Sequence, residues 1–111
     1  MLRKLALGAV AAALALTAVV APAHAGAKKT VAVRNNSFSP GTVNIKKGDA
    51  VVWKWTQGGI PHNVTPTNGG RGSATSSRKG FTFAKTFAKK GTYRFQCTIH
   101  PSQMRITVKV S

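Results

Sequence analysis

GTYRFQCTIHPSQMRITVKV, Gly91 to Val110, decides how this chain folds. Tyr93, Phe95 and Cys97 alternate with Thr92, Arg94 and Gln96; after a short interruption, Met104, Ile106, Val108 and Val110 alternate with Arg105, Thr107 and Lys109. Apolar residues at period two mark a strand with one face buried and one in water. The stretch therefore predicts two half-buried strands. The tight loop between them is bracketed by the lone cysteine and a methionine, both on the inward parity, with His100 inside it.

The same period recurs upstream. Val31 and Val33 oppose Ala32 and Arg34; Val43 and Ile45 oppose Thr42, Asn44 and Lys46; Val51, Trp53 and Trp55 oppose Val52, Lys54 and Thr56; Phe81 and Phe83 oppose Thr82 and Ala84. Turn formers separate the runs at Ser39-Pro40-Gly41, Lys47-Gly48-Asp49, Gln57-Gly58-Gly59 and Lys89-Lys90-Gly91. Short strands at roughly ten-residue intervals, with no helical period after Ala25, predict an all-β, single-domain sandwich or barrel rather than a parallel sheet. Residues 66–80, PTNGGRGSATSSRKG, form the longest irregular piece. They read as a surface excursion carrying Arg71, Arg78 and Lys79, to which the sequence assigns no chemistry.

Residues 1–25 have the layout of a secretory signal peptide: a basic start to Lys4, an apolar run from Leu5 to Val20, and a small-x-small end at Ala23-His24-Ala25. The run is short for a membrane span and no second one follows. Cleavage after Ala25 would leave residues 26–111, 111 − 25 = 86 residues, as one exported domain, periplasmic or extracellular. A chain of that size has a thin core, and one cysteine supplies no intramolecular disulfide to reinforce it. A bound metal would reinforce it, because whatever binds only the folded state stabilises that state.

The whole sequence carries 17 basic residues against one acid, Asp49, for a net charge of +16. Such a field repels copies of itself and attracts acidic partners. An acidic protein, an anionic envelope polymer or a lipid surface fits; export weighs against nucleic acid. Trp53 and Trp55 among basic residues would suit base stacking, but they share the inward parity of Val51 and so read as core.

Beyond residue 25 there are two histidines, His62 and His100. Alone, Cys97 would be a small buried hydrophobe and His62, in Ile60-Pro61-His62-Asn63-Val64, an ordinary loop histidine. Taken with His100 and Met104, they make a set of two imidazoles, a thiolate and a thioether. Soft sulfur donors suit Cu(I) and imidazole also suits Cu(II), so this set can hold both oxidation states of copper. Zinc seldom takes methionine, and its structural sites more often pair cysteines. A Cys-His nucleophilic pair has little support in a chain whose one acid is Asp49.

These residues lie in runs that resemble the cupredoxins, the small blue copper proteins, above all the plastocyanin, pseudoazurin and amicyanin group. The runs are Phe38-Ser39-Pro40, Val43 to Trp53, Pro61-His62-Asn63-Val64, and Gly91-Thr92-Tyr93-Arg94-Phe95-Gln96-Cys97-Thr98-Ile99-His100-Pro101. The resemblance implies a Greek-key β-sandwich of about eight strands with one copper at one end. It implies that Asn63 ties its loop to the backbone near Thr98, and that backbone N–H groups near Cys97 bond its sulfur. It further implies that electrons pass at the edge of His100, framed by Ile60, Pro61, Ile99 and Pro101.

The axial position stays open. The amicyanin-like pattern puts methionine three residues after the histidine, where this chain has Gln103; plastocyanins and pseudoazurins put it five after; Met104 is four after. Strand parity favours Met104, and Gln103 is the alternative, whose harder oxygen would favour Cu(II). The expected function is an exported one-electron carrier, monomeric, exchanging electrons with redox proteins that present acidic docking surfaces, with no small-molecule substrate and no enzymatic step. Two alternatives remain: copper delivery without a redox partner, and a cationic binding domain for anionic polymers or nucleic acid.

Overall fold

The computed structural model describes residues 26–111. The signal-peptide reading falls on residues outside that range. Eight strands follow one another: β1 (Lys28–Arg34), β2 (Ser37–Ser39), β3 (Thr42–Ile45), β4 (Ala50–Trp55), β5 (Thr65–Pro66), β6 (Thr82–Thr86), β7 (Gly91–Gln96) and β8 (Arg105–Val110). They form two four-stranded sheets, in the orders β2-β1-β4-β6 and β3-β8-β7-β5. The chain changes sheet at every connection from β2 to β7, which makes a two-layer sandwich whose inner faces share one core. Among the described residues no helix is long and apolar enough to cross a membrane.

Parity decides the inner faces. Val31, Val33, Val51, Trp53 and Trp55 line one sheet; Val43, Ile45, Phe95, Ile106, Val108 and Val110 line the other; all are buried. Trp53 meets Phe95 across the layer edge to face, ring centroids 5.1 Å apart, and Phe83 on the neighbouring strand at 5.6 Å. Trp55 meets Phe81 at 4.8 Å, also edge to face. Both tryptophans are fully buried, so neither offers a face on which a base could stack. The alternation through β6 runs one step beyond Phe83 and Lys85, to Phe87, a buried core residue not anticipated from the sequence.

Pairing is mixed in both layers. β1 runs parallel to β4, with Val31 opposite Trp53, and β3 runs parallel to β8, with Val43 opposite Val108. The remaining pairs are antiparallel, including β7 with β8, where Tyr93 faces Val108 and Phe95 faces Ile106. Period two is the same in either arrangement, so alternation alone did not distinguish them.

The one acid does internal work. Asp49 is buried, and its two carboxylate oxygens accept the backbone N–H groups of Ala27 (2.8 Å) and Lys46 (3.0 Å), binding the start of β1 to the β3–β4 turn. The described surface thus carries exposed cations without a side-chain carboxylate among them. At the far corner, the Tyr93 hydroxyl donates to the Lys89 carbonyl (2.7 Å), a tyrosine corner that fixes the approach to β7.

Candidate metal centre

Two segments from opposite layers meet at one end of the sandwich. The first, after β4, carries His62. It is not a free loop: His62 and Ser76 exchange backbone hydrogen bonds of 3.0 and 2.9 Å, an isolated antiparallel bridge. The Ser73 hydroxyl accepts from Val64 N–H (2.8 Å), Ser73 N–H donates to the Val64 carbonyl (2.8 Å), and the Trp55 indole donates to the Ser76 carbonyl (2.9 Å). Residues 66–80, given no chemistry in the sequence, are therefore the backing that holds His62 in place. Their serines and threonines were the available signal.

The second segment is the loop between β7 and β8. Cys97 N–H donates to the Met104 carbonyl (3.0 Å), extending the strand ladder to the loop's mouth, while Met104 N–H turns back to the His100 carbonyl (2.9 Å) and His100 N–H to the Cys97 carbonyl (3.2 Å). A loop pinned at Cys97 and Met104 and folded on His100 presents its cysteine and histidine to the same point.

Asn63 joins the two segments. Its carboxamide oxygen accepts Thr98 N–H (3.0 Å) and the Thr65 hydroxyl (2.9 Å), and its nitrogen donates to the Thr98 hydroxyl (2.8 Å) and the Thr75 hydroxyl (3.0 Å). The tie to Thr98 implied by the resemblance is thus present, and Thr75 joins it from the backing segment.

Within this frame, one donor atom each of His62, Cys97 and His100 lie within 4.8 Å of one another. The Cys97 sulfur is 3.7 Å from His100 Nδ1, and the two imidazoles sit 5.1 Å apart between centroids. Among the described residues the hydrogen-bonding partner found for that sulfur is this imidazole, where a backbone N–H had been expected. His62 and Cys97 are fully buried and His100 half-buried. Burial, and next the proximity of His100, hold the His62 imidazole below its ordinary pKa, so the ring stays neutral at pH 7 and keeps a lone pair.

His62 Nε2 is 3.2 Å from Asn35 Oδ1, and His62 Nδ1 is buried with no hydrogen-bond partner. A buried ring nitrogen without a partner is costly unless something binds it. One thiol and two imidazoles, one of them with an orphaned buried nitrogen, fit a soft-to-borderline metal ion such as copper.

Met104 is fully buried beside this cluster in sequence and loop geometry, whereas Gln103 is exposed. Around the half-buried His100, Ile99 is 45% exposed, the one large hydrophobic so exposed among the described residues; Pro61 and Pro101 are exposed and Ile60 is half-buried.

A buried Cys-His-His cluster at one end of a two-layer β-sandwich defines a cupredoxin. Residues 25–111 match the model of the copper binding proteins of the plastocyanin/azurin family, and the chain belongs to that family. Solved structures agree. An oxidised single-substitution variant of amicyanin superposes with a TM-score of 0.67 at 26% identity over 75% of this chain and 81% of that one. A reduced amicyanin variant gives 0.63 at 28% identity, over 75% and 81%. A purple cupredoxin from Nitrosopumilus maritimus gives 0.65 at 25% identity, over 75% of this chain and 99% of that one.

Proposed function

We propose that this copper-binding protein is an exported one-electron carrier, with His62, Cys97, His100 and Met104 holding a single copper ion. The observation that carries the reading is the convergence of His62, Cys97 and His100 donors within 4.8 Å in a buried corner. Copper bound there supplies the Cu(I)/Cu(II) couple. The burial of Met104 beside an exposed Gln103 supports methionine as the axial donor.

What the chain contributes is rigidity and access. Asn63 binds the His62 segment to the Cys97 loop through two hydrogen bonds with Thr98, and two more to Thr65 and Thr75 fix its own carboxamide, so the donors keep their spacing when the charge at the site changes. A site that need not rearrange exchanges electrons quickly. Four side chains leave no open position for a substrate, which argues for a carrier and against an enzyme. Two surface clefts, of about 690 and 380 Å³, are lined by residues outside this cluster.

Electrons enter and leave at His100, whose half-buried ring lies beside exposed Ile99 and the two prolines. The small apolar rim permits close, brief contact. The chain's excess of cations speeds encounter with a redox protein that presents an acidic surface. Export to a periplasm or beyond the cell follows from the leader-like residues 1–25.

The deciding experiment is the visible spectrum of protein expressed from residue 26 after addition of Cu(II), then of a reductant, then of ferricyanide. An intense thiolate-to-copper band that bleaches and returns, and that Cys97→Ala abolishes while the protein stays folded, is the expected result. No band in the wild type would sink the proposal.

A further inference from the structure

Asn35 lies 27 residues before His62, in the turn between β1 and β2, yet its carboxamide oxygen sits 3.2 Å from His62 Nε2. Asn35 is itself held. Its backbone N–H donates to Gln57 Oε1 at 2.7 Å, just beyond the end of β4. Asn36 completes the two-residue turn with φ +75°, and Arg34 pairs with Ser37 across it. β1 in turn lies in register with β4, Val33 opposite Trp55. The carboxamide is therefore aimed at His62 by the rigid edge of a sheet.

A neutral imidazole carries one N–H. An asparagine oxygen is an acceptor only, so facing Nε2 it selects the tautomer protonated there. The other nitrogen, Nδ1, then keeps its lone pair, and this is the atom that is buried without a hydrogen-bond partner. The opposite tautomer would bury an unsatisfied N–H at Nδ1 and set two acceptors against each other at Nε2.

We propose that Asn35 is a positioning residue of the metal centre: by accepting the Nε2–H of His62 it fixes the tautomer and ring orientation that present Nδ1 to the metal. The proposal rests on His62 being a ligand. Partners of this kind, one bond removed from the metal, change metal affinity about 10- to 100-fold when removed. Because Asn35 is exposed, its replacement leaves the core untouched. Leucine is the informative substitution, since alanine would admit a water in the carboxamide's place. Aspartate keeps the acceptor and adds charge, which makes the imidazole a stronger donor and favours the more highly charged Cu(II).

The test begins on metal-free protein, where long-range proton–nitrogen NMR correlations report the His62 tautomer directly. Wild type and Asn35→Asp should show only the Nε2–H form, and Asn35→Leu a mixture. Copper binding, measured by competition with a chelator, should weaken about 10- to 100-fold in Asn35→Leu. It should recover in Asn35→Asp, with a reduction potential below that of the wild type. An Nδ1–H tautomer in the wild type, or an Asn35→Leu protein with unchanged tautomer and affinity, would overturn the proposal. Should Asn35→Leu not fold, the wild-type tautomer and the potential of Asn35→Asp decide it. A wild type that binds no copper overturns the ligand reading instead, and the two failures are told apart because the tautomer is read without metal.

Discussion

Asn63 shows how much one side chain can carry. It is almost fully buried and uses both ends of its carboxamide, two donors to Thr98 and Thr75 and two acceptances from Thr98 and Thr65. Each such bond contributes about 0.5–1.5 kcal/mol net, and a buried donor left unpaired costs more. Asn63→Ala should therefore destabilise the metal-free protein by about 2–4 kcal/mol in urea unfolding. It should also broaden the copper band as the two loops lose register; a loss below about 0.5 kcal/mol would show that the ties are dispensable. His62 makes a second prediction at this scale. Its folded pKa lies below the ordinary value of 6.5, so below that pH the unfolded chain takes up a proton that the folded site refuses. The stability tied to the neutral ring is complete above pH 6.5 and drains as pH falls toward the lowered folded value. Metal-free protein should lose stability between pH 7 and pH 5 more steeply than His62→Asn; parallel profiles would contradict this.

Among the elements, the backing segment departs furthest from its sequence reading. Gly, Ser and Thr in residues 66–80 predict a solvent loop, and much of it is exposed. What composition cannot show is that Ser73, Thr75 and Ser76 pair with residues 62–64 and so build a wall behind His62. Gly72 makes that closeness possible: a Cβ there would overlap the Val64 carbonyl oxygen and lie 2.9 Å from Thr65 Cα. Backbone on both sides must move to accept it. Gly72→Ala should destabilise the fold by about 1–3 kcal/mol. It should also shift the copper band through His62, whereas Gly41→Ala, where a Cβ meets nothing within 4 Å, should leave the band in place. An unaltered spectrum in Gly72→Ala would mean that the segment does not hold the ligand.

At the scale of the molecule, charge is the dominant property. The single carboxylate side chain beyond residue 25 is buried and accepts the backbone N–H groups of Ala27 and Lys46, so the exposed surface is overwhelmingly cationic. Their field reaches about 30 Å at 0.01 M salt and about 10 Å at 0.1 M. Electron transfer to an acidic redox protein, followed by stopped flow, should slow at least tenfold over that range and on to higher salt, with a neutral acceptor little affected. A flat dependence would remove steering from the function.

Period-two alternation and the turn residues by themselves determined the six longer strands, their inward faces and the all-β class, because burial acts on every second residue and leaves its mark locally; the short strands Ser37–Ser39 and Thr65–Pro66 carry too few residues to show a period. The grouping of His62, Cys97 and His100 was legible too, since a thiol and imidazoles in a chain with one cysteine have few other uses. Which strands run parallel, the backing of His62 by residues 73–76 and the reach of Asn35 were decided only in three dimensions. Each joins residues that are distant in sequence, or depends on a register that alternation leaves free. Their side chains, asparagine, serine and threonine, look like ordinary turn formers until the fold brings a partner to them.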